Sequence, residues 1–194
     1  METKTLLITG FAPFGGQSVN PSWEAVRALP DTVGTYRLEK RLIPVEYGRA
    51  AGTVEEEARK LGAAAVVCVG QAGGRAEVTP EVIGINLREA DIPDNAGRLC
   101  RGEPVVPGGP AGHFSTLPVR DMVAALRQAG IPARLSYSAG AYVCNDVLYT
   151  LLHDLENTGI RAGFIHVPFL PEQGSPSLPL EQITRALTCA LEVL

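Results

Sequence analysis

The chain has 194 residues with a formal net charge of −4; 45% of the residues are hydrophobic and 20% are charged. This length and composition predict one globular domain over 1–194 and exclude an intrinsically disordered chain. Lysine and arginine are scattered, with no basic run longer than Lys40-Arg41, so no nucleic-acid partner is expected. Because no segment approaches the roughly 20 apolar residues of a membrane span, and no apolar leader precedes Thr9-Gly10, we expect a cytoplasmic protein without a membrane partner.

The first part of the chain alternates between strand-like and helix-like segments. A β-type run over 4–8 ends in a loop rich in glycine and phenylalanine. Asn20-Pro21 then has the pattern of a helix start, with the asparagine as N-cap and proline at the first helical position. A strand over 36–44 and a helix over 45–61 follow. The continuous apolar run over 63–69 predicts a strand that is buried on both faces.

The rest of the chain keeps this order after a long polar region over 70–118, which includes one predicted strand over 82–87. Loops of this length are usually functional or form a small sheet of their own. The elements predicted after it are a helix over 117–129, a strand over 133–137, a helix over 141–157, a strand over 162–167 and a helix over 180–193. Repeated strand-then-helix order predicts an α/β fold with a mostly parallel sheet that is covered on both faces.

The loops after the strands are the places to look for chemistry, because ligands of such sheets bind beyond the carboxyl ends of the strands. Cys144 follows a loop of small residues and begins a predicted helix. Free N–H groups and the helix dipole at that position are expected to lower the pKa of its thiol below about 8.5. The alternative is an inert core thiol, because Cys144 also falls on the apolar face of its helix.

Two further members of a catalytic group are suggested by position alone. His166 ends the last predicted strand, where it can act as a general base toward a thiol or can be a hydrogen-bonded core histidine. His153, on the expected solvent side of a helix, and His113, in a Gly/Pro loop, are weaker candidates. A third member would orient the imidazole. Spacing does not choose among the four carboxylates of the long loop region, which are Glu77, Glu81, Asp91 and Asp94.

The first loop holds two aromatic residues, Phe11 and Phe14, which predict either a flat apolar slot or a cap on the core. This loop has neither a P-loop lysine nor a Gly-x-Gly-x-x-Gly motif, so no phosphate or dinucleotide cofactor is indicated. The four cysteines lack zinc-type spacing, so we expect no metal site and four free thiols in the cytosol. They are Cys68, Cys100, Cys144 and Cys189.

Four motifs occur in the order found in a known family. They are G-F-A-P-F-G-G at 10–16 with N-P-S at 20–22, V-C-V-G-Q-A-G-G-R at 67–75 running to T-P-E at 79–81, S-A-G-A-Y-V-C-N at 138–145, and G-F-I-H-V-P at 163–168 with P-E-Q at 171–173. Together they resemble the bacterial pyroglutamyl peptidases, also called pyrrolidone-carboxylate peptidases. The resemblance runs from about Leu6 to the last helix. It implies a three-layer α/β/α sandwich with a mostly parallel twisted sheet, and a homo-oligomer that is commonly a tetramer.

The resemblance also implies an activity and a set of site residues. The family members are cysteine omega peptidases that remove an N-terminal pyroglutamyl residue from peptides through a thioester acyl-enzyme. Matched by motif, Cys144 would be the nucleophile, His166 the general base and Glu81 the residue that orients it. The implied lining of the pyroglutamyl pocket consists of Phe11, Phe14, Gln71, Tyr142 and Val143. Pyroglutamate is a small neutral lactam, so ring contacts and hydrogen bonds suit it better than a charge.

Two residues depart from the family pattern, and the type of fold also leaves another enzyme class open. Asp91 stands where relatives often have arginine, and Tyr142 where they often have phenylalanine. One alternative is therefore a silent module that binds pyroglutamyl peptides without turnover. Another is a nucleoside-phosphorylase-like enzyme on the same type of fold, which would need an anion site. Cys189 points away from the apolar stripe of the last helix, so we expect a free surface thiol or one at a subunit contact.

Overall fold

The computed structural model describes residues 3–194, which form ten strands and five helices. The strands are β1 (Lys4–Phe11), β2 (Thr32–Val33), β3 (Tyr36–Ile43), β4 (Ala65–Gln71), β5 (Thr79–Pro80), β6 (Ile83–Ile85), β7 (Arg88–Glu89), β8 (Arg101–Glu103), β9 (Gly112–Phe114) and β10 (Arg161–Val167). Six of them form one sheet in the order β2-β3-β1-β4-β10-β5. The four long strands run parallel, and the short strands β2 and β5 are antiparallel to their neighbours at the two edges.

Helices cover both faces of this sheet. They are α1 (Pro21–Ala28), α2 (Arg49–Leu61), α3 (Val119–Gln128), α4 (Val143–Asp154) and α5 (Leu180–Leu191). Apolar side chains of α1, α3 and α5 form one core cluster with the sheet, and those of α2 and α4 form a second cluster on the opposite face. The mostly parallel sheet and the three-layer α/β/α sandwich that the sequence predicted are therefore confirmed.

The central strands owe their continuous apolar character to this double coverage. Along β1, Leu6 and Ile8 belong to the first cluster, whereas Leu7 and Phe11 belong to the second. Successive side chains of a strand point to opposite faces, so a strand that is covered on both sides needs apolar residues at every position. The run predicted over 63–69 forms β4, in which Ala65 to Gly70 are all buried.

The loop after β1 is held by the predicted helix cap. The Asn20 side chain accepts hydrogen bonds from the backbone N–H of Ser22 at 3.1 Å and from its hydroxyl at 2.8 Å. That hydroxyl oxygen in turn accepts the backbone N–H of Phe11 at 3.0 Å. Gly10 permits this approach, because a Cβ there would lie only 2.5 Å from the Cα of Trp23. The cap therefore fixes both the start of α1 and the path of the loop between residues 11 and 20.

Helix boundaries differ from the predicted ones, most of all at α2. The helix predicted over 45–61 begins at Arg49, because Gly48 takes a left-handed conformation at φ 73° that precedes the first turn. Val45 and Tyr47 are buried as loop residues instead. The strand predicted over 82–87 is limited to β6, and α3, α4 and α5 each end within three residues of the predicted bounds.

The strand predicted over 133–137 is not formed. This segment runs parallel to residues 78–82 and makes two isolated bridges, Val78 to Ala133 and Glu81 to Ser136. Pro80 lies between them and has no N–H to donate, so the ladder is interrupted in the middle. The segment is nevertheless held at the sheet edge, because Ser136 donates its N–H to the Pro80 carbonyl at 3.0 Å.

The strand order places a crevice beside β1. The chain passes from β1 to β3 on one side and later to β4 on the other, so the loops that follow β1 and β4 diverge at the carboxyl ends of these strands. Open α/β sheets bind their ligands at such a switch point. None of the helices formed by residues 3–194 is long and apolar enough to cross a membrane.

Candidate active site

A buried carboxylate–imidazole pair lies at the end of β10. His166 is 4% exposed, and its Nδ1 lies 2.7 Å from Oε1 of Glu81, which is fully buried. Glu81 follows β5 directly, and its backbone N–H donates to the Phe164 carbonyl at 2.9 Å, which holds it against β10. The structure thus selects one of the four carboxylates that spacing could not distinguish.

The other three carboxylates have different partners. Glu77 is partly exposed and pairs with Arg134 at 2.8 Å. Asp91 is 99% exposed and pairs with Arg101 at the start of β8, so it lies at the surface and not in the core of the site. Asp94 is buried, and its carboxylate accepts the backbone N–H of Tyr47 at 2.9 Å and two N–H groups of its own loop. Its role is to order the loop that follows β7.

Cys144 lies at the second position of α4, next to strand β4. A Cβ built on Gly70 would lie 3.0 Å from the Cys144 Sγ, so the thiol packs directly over this glycine. Gly70 is also the register partner of His166 on the adjacent strand. Residues paired in this way direct their side chains to the same face of a sheet. The thiol and the imidazole therefore lie side by side on one face, above neighbouring strands.

The start of α4 offers free backbone donors to this group. No side chain caps the helix at Tyr142, and the first intrahelical bond shown is from the Asp146 N–H to the Tyr142 carbonyl at 3.1 Å. The N–H groups of the first turn of an α-helix have no partner within the helix. Such groups, at the helix start that carries Cys144, are donors that could hold a developing oxyanion.

The expected lowering of the thiol pKa is wrong for this structure. Burial raises the pKa of Cys144 to about 12, the negative charge of Glu81 contributes in the same direction, and Arg75 and the residue's own backbone N–H act against the rise. Loss of hydration outweighs the helix N–H groups, because the thiol is enclosed and a thiolate there is poorly solvated.

The pKa of Glu81 is shifted in the opposite direction. Burial by itself raises the pKa of this carboxyl, but its hydrogen bond with His166 and the charge interaction with the same ring outweigh burial, and the pKa ends below its ordinary value. Hydrogen bonds from Arg75 act in the same direction. The carboxylate is thus ionised at neutral pH and can accept the Nδ1 proton of the imidazole.

A narrow cavity lies beside the thiol. Its lining residues are Phe11, Phe14, Asn20, Val45, Gln71, Tyr142 and Cys144. Four of these were assigned to a substrate pocket from the sequence. Val143, the fifth residue assigned from the sequence, does not line the cavity; its side chain is buried in the core cluster of α2 and α4. Asn20 and Val45 were not predicted, although Asn20 was recognisable as the helix cap that shapes the loop.

The cavity is apolar with amide groups at its edge, and no charged side chain lines it. Gln71 is held in place by Gln173, whose Nε2 donates to the Gln71 Oε1 at 3.0 Å. Gln173 is itself oriented by the backbone N–H of Leu170, which donates to its Oε1 at 3.0 Å. On the other wall, the Tyr142 ring packs edge-to-face on Tyr47 with centroids 5.6 Å apart. Such a space suits a small, flat, neutral group.

Sequence reasoning missed two buried polar residues that anchor the start of α4. Asn145 is fully buried, and its amide accepts the N–H of Ile85 and donates to the carbonyls of Ile85 and Leu87, each at 2.9 Å. Asp146 is also fully buried and pairs with Arg88 at 2.5 Å. The available signal was two adjacent polar residues on an otherwise apolar helix, immediately after Cys144.

The other two histidines lie outside this site, and the surroundings of both differ from the predicted ones. His113 is not in an irregular loop but in β9, which pairs with β6. Its Nε2 lies 3.1 Å from Nδ1 of His153, which is partly buried rather than on a solvent face. Among residues 3–194, no three His, Cys, Asp or Glu side chains are grouped so that they could hold a metal ion.

The four thiols are free, and they differ in burial. Cys68 and Cys100 are fully buried in the second cluster. Cys189 is partly buried and packs against the first cluster, so it is less exposed than the helical periodicity predicted. Cys144 is partly accessible, and of the four it is the one beside both the cavity and the carboxylate–imidazole pair.

Comparison with known proteins gives the same family throughout. The sequence model described as pyroglutamyl peptidase matches residues 4–194. The pyrrolidone-carboxylate peptidase of Chromobacterium violaceum is 49% identical over 98% of this chain and 92% of its own. The crystal structure of pyroglutamyl peptidase I from Bacillus amyloliquefaciens superimposes with a TM-score of 0.94 at 43% identity, over 98% of this chain and 96% of its own.

A more distant relative has the same fold. The pyrrolidone carboxyl peptidase structure from Thermus thermophilus has a TM-score of 0.92 at 38% identity, covering 97% of this chain and 100% of its own. Sequence and structure therefore agree over nearly the whole length of the chain. The chain belongs to the pyroglutamyl peptidase family.

Proposed function

We propose that this protein hydrolyses the bond that follows an N-terminal pyroglutamyl residue in peptides, with Cys144, His166 and Glu81 as a catalytic triad. The observation that carries the proposal is the buried 2.7 Å contact between Glu81 and His166, next to a thiol at the start of α4. Nucleophile, base and orienting acid are the parts of the triad arrangement in acyl transfer. Family membership supports peptidase activity as the reaction.

The hydrogen bond to Glu81 determines which nitrogen of His166 acts as base. An ionised carboxylate only accepts hydrogen bonds, so it requires Nδ1 of the imidazole to carry a proton. The other nitrogen, Nε2, then has a free lone pair. In the first step Nε2 takes the thiol proton while Sγ attacks the pyroglutamyl carbonyl carbon. In the next, Nε2–H protonates the leaving amine, and water later releases pyroglutamate from the thioester.

The raised pKa of Cys144 supports general-base activation over a standing thiolate. With a pKa of about 12, the free thiol is neutral at pH 7. The proton therefore moves to His166 as the new C–S bond forms. Backbone N–H groups at the start of α4 would hold the oxygen that becomes negative, and they need no rearrangement to do so.

The cavity supports pyroglutamate as the acyl group. Phe11, Phe14 and Tyr142 offer apolar contacts to the lactam ring. Because the Gln71 Oε1 accepts from Gln173, the NH₂ group of Gln71 is left to donate toward the ring carbonyl. Proline has the same ring size but no such carbonyl. A site that hydrogen-bonds a substrate group rejects an analogue that lacks it by about 10⁴-fold or more.

The test is release of a fluorescent amine from its pyroglutamyl amide in reducing buffer, with the prolyl amide measured in parallel. We expect turnover of the pyroglutamyl amide, with kcat/KM about 10³- to 10⁴-fold higher than for the prolyl amide. A difference of about this size is expected when the substrate lacks a hydrogen-bonding group that the site is built to bind. Cys144→Ala should lower kcat by about 1,000-fold or more, and Glu81→Gln by a comparable factor, because triad members act as a unit. Cys189→Ala is the matched control and should keep full activity.

Each contrary outcome has a defined meaning. Absence of turnover by fresh wild-type protein would refute the proposal. If a pyroglutamyl ligand nevertheless bound, the silent-binder alternative would be favoured. Phosphate-dependent cleavage of nucleosides without amidase activity would favour the phosphorylase alternative. Equal loss of activity in Cys189→Ala would show that the nucleophile has been assigned to the wrong thiol.

A further inference from the structure

The side chain of Arg75 makes contacts that neither the fold nor the proposed triad requires. Its Nη1 donates to the Glu81 Oε1 at 2.8 Å, and this is the same oxygen that receives Nδ1 of His166 at 2.7 Å. Nη1 also lies 2.5 Å from the Thr79 hydroxyl oxygen. Nη2 donates to the carbonyl of Ser138 at 3.1 Å. One guanidinium thus bridges the triad carboxylate and the loop that leads to Cys144.

We propose that Arg75 is a positioning residue that keeps Glu81 ionised and aimed at His166, and so keeps the imidazole in the tautomer that can accept a proton from Cys144. This inference rests on the proposed function, because it concerns the same three residues. Arg75 itself does not touch the reacting atoms. It acts through Glu81.

The environment of Glu81 explains why a fixed positive charge is needed there. The carboxyl is fully buried, and its second oxygen, Oε2, has no hydrogen-bond partner among the residues that the structure describes. A buried ionised carboxylate is costly unless it is paired and hydrogen-bonded. The titratable or charged groups around it are Arg75, His166 and Cys144. Arg75 is the only permanent cation of these three, because a guanidinium is not deprotonated in proteins.

Loss of that charge would change the chemistry of the imidazole, not merely its stability. A protonated Glu81 would donate a hydrogen bond to Nδ1 instead of accepting one. Nδ1 would then be unprotonated and Nε2 would carry the proton of the neutral ring. In that tautomer, Nε2 cannot take the thiol proton, and the first step of the reaction is blocked.

The same cation also moderates the field at the nucleophile. The Glu81 charge opposes formation of a thiolate at Cys144, and Arg75 favours it. The ion pair therefore leaves the carboxylate able to orient His166 while reducing its repulsion of the sulfur. Arg75 is 21% exposed at its side chain, so it is placed at the edge of the site with its charged end directed inward.

The experiment compares Arg75→Gln and Arg75→Lys with wild type. Arg134→Gln is the matched control, because Arg134 makes an exposed pair with Glu77 at the same 2.8 Å separation. For each protein, kcat and KM are measured from pH 5 to 9 on the pyroglutamyl amide. The tautomer of His166 is read independently from ¹⁵N–¹H NMR spectra, which need no turnover. Circular dichroism verifies that each variant is folded.

We expect Arg75→Gln to lower kcat at pH 7 by about 10- to 100-fold, the range for a lost hydrogen bond to a charged group, with KM within about 3-fold of wild type. The acid limb of its pH profile should move to higher pH, and the Nδ1–H signal of His166 should weaken. Arg75→Lys keeps the charge, so it should retain the Nδ1–H tautomer and recover most of the lost kcat. Arg134→Gln should behave as wild type in every readout.

Two outcomes would overturn the inference. The first is an Arg75→Gln protein with unchanged tautomer and pH profile, whatever its activity, because a purely structural role would produce that result. The second is loss of the Nδ1–H tautomer of His166 in Arg75→Lys. If Arg75→Gln does not fold, the tautomer in Arg75→Lys alone tests the inference. Absence of turnover by wild type would refute the proposed function, but the NMR comparison would still decide the role of Arg75.

Discussion

Gly70 is the position at which a single added methyl group tests the geometry of the site most directly. In Gly70→Ala, the new Cβ would lie 2.7 and 2.8 Å from two ring carbons of Phe164 and 3.0 Å from the Cys144 Sγ. Separations of this size are well below carbon–carbon contact distance, so the ring or the thiol must move. The Phe164 ring is fully buried, so its movement would disturb the packed core around it.

The expected cost follows from overpacking in a filled core. Inserting a methyl group there lowers the free energy of unfolding by about 1–3 kcal/mol. For a chain of this size, each kcal/mol corresponds to a fall in Tm of about 2–4 °C. A thiol displaced by a few tenths of an ångström or more should also lower kcat/KM on the pyroglutamyl amide, and about 100-fold is the scale for a 1 Å misplacement.

Gly52→Ala is the control, and its expected effect on stability has the opposite sign. Gly52 is an exposed residue within α2, and a Cβ added there has open space around it. Alanine in a helix interior is favoured over glycine by about 0.5–1 kcal/mol, so Gly52→Ala should be slightly more stable than wild type and equally active. Both variants are measured by urea denaturation and by amide hydrolysis. If Gly70→Ala were as stable and as active as wild type, the described packing of Cys144 over β4 would be refuted.

Two further substitutions test the Glu55 carboxyl on α2 and the Tyr142 phenol at the cavity. Burial and the neighbouring Asp154 carboxyl raise the pKa of Glu55 to about 7, so the folded chain retains a proton that the unfolded chain releases above about pH 4.5. Stability should therefore fall as pH rises toward 7, and Glu55→Gln should raise Tm at pH 8 but not at pH 4.5. Glu56, which forms an exposed pair with lysine, is the control, and Glu56→Gln should leave Tm unchanged at both pH values. Equal effects of the two variants on Tm would contradict the raised pKa of Glu55. Tyr142→Phe removes the hydrogen bond from the phenol to the Pro93 carbonyl, 3.0 Å away, and should raise KM by about 2- to 10-fold with kcat little changed, in proportion to one hydrogen bond of about 0.5–1.5 kcal/mol. An unchanged KM would show that the loop around Pro93 does not shape the pocket.

Local patterns in the sequence were sufficient for the features that depend on neighbouring residues. The cap at Asn20 needs only an asparagine followed by a helix-compatible proline, and it is formed as predicted. The buried strand β4 follows from an unbroken apolar run, because a strand of such residues can be buried on both faces. The order of strands and helices likewise predicted the layered sheet. Motif resemblance then supplied the family, which the comparisons confirmed.

Other features depended on residues that are distant in sequence. The strand expected over 133–137 is interrupted by Pro80, more than fifty residues away, whose missing N–H leaves a gap in the ladder. The segment before α2 is likewise held by a distant residue, because the Asp94 carboxylate accepts the N–H of Tyr47. Local propensity carries no information about these partners, so the sequence pattern could not place the boundaries.

The same division holds within the candidate site. The sequence by itself determined that a thiol starts a helix and that an imidazole ends a strand, because both depend on local order. Position and spacing left four carboxylates open, and the motif resemblance pointed to Glu81; only the tertiary structure provides the 2.7 Å contact between Glu81 and His166, which are 85 positions apart. The structure alone also showed that burial raises the Cys144 pKa, because desolvation depends on every group that surrounds the sulfur and not on the helix position that the sequence reveals.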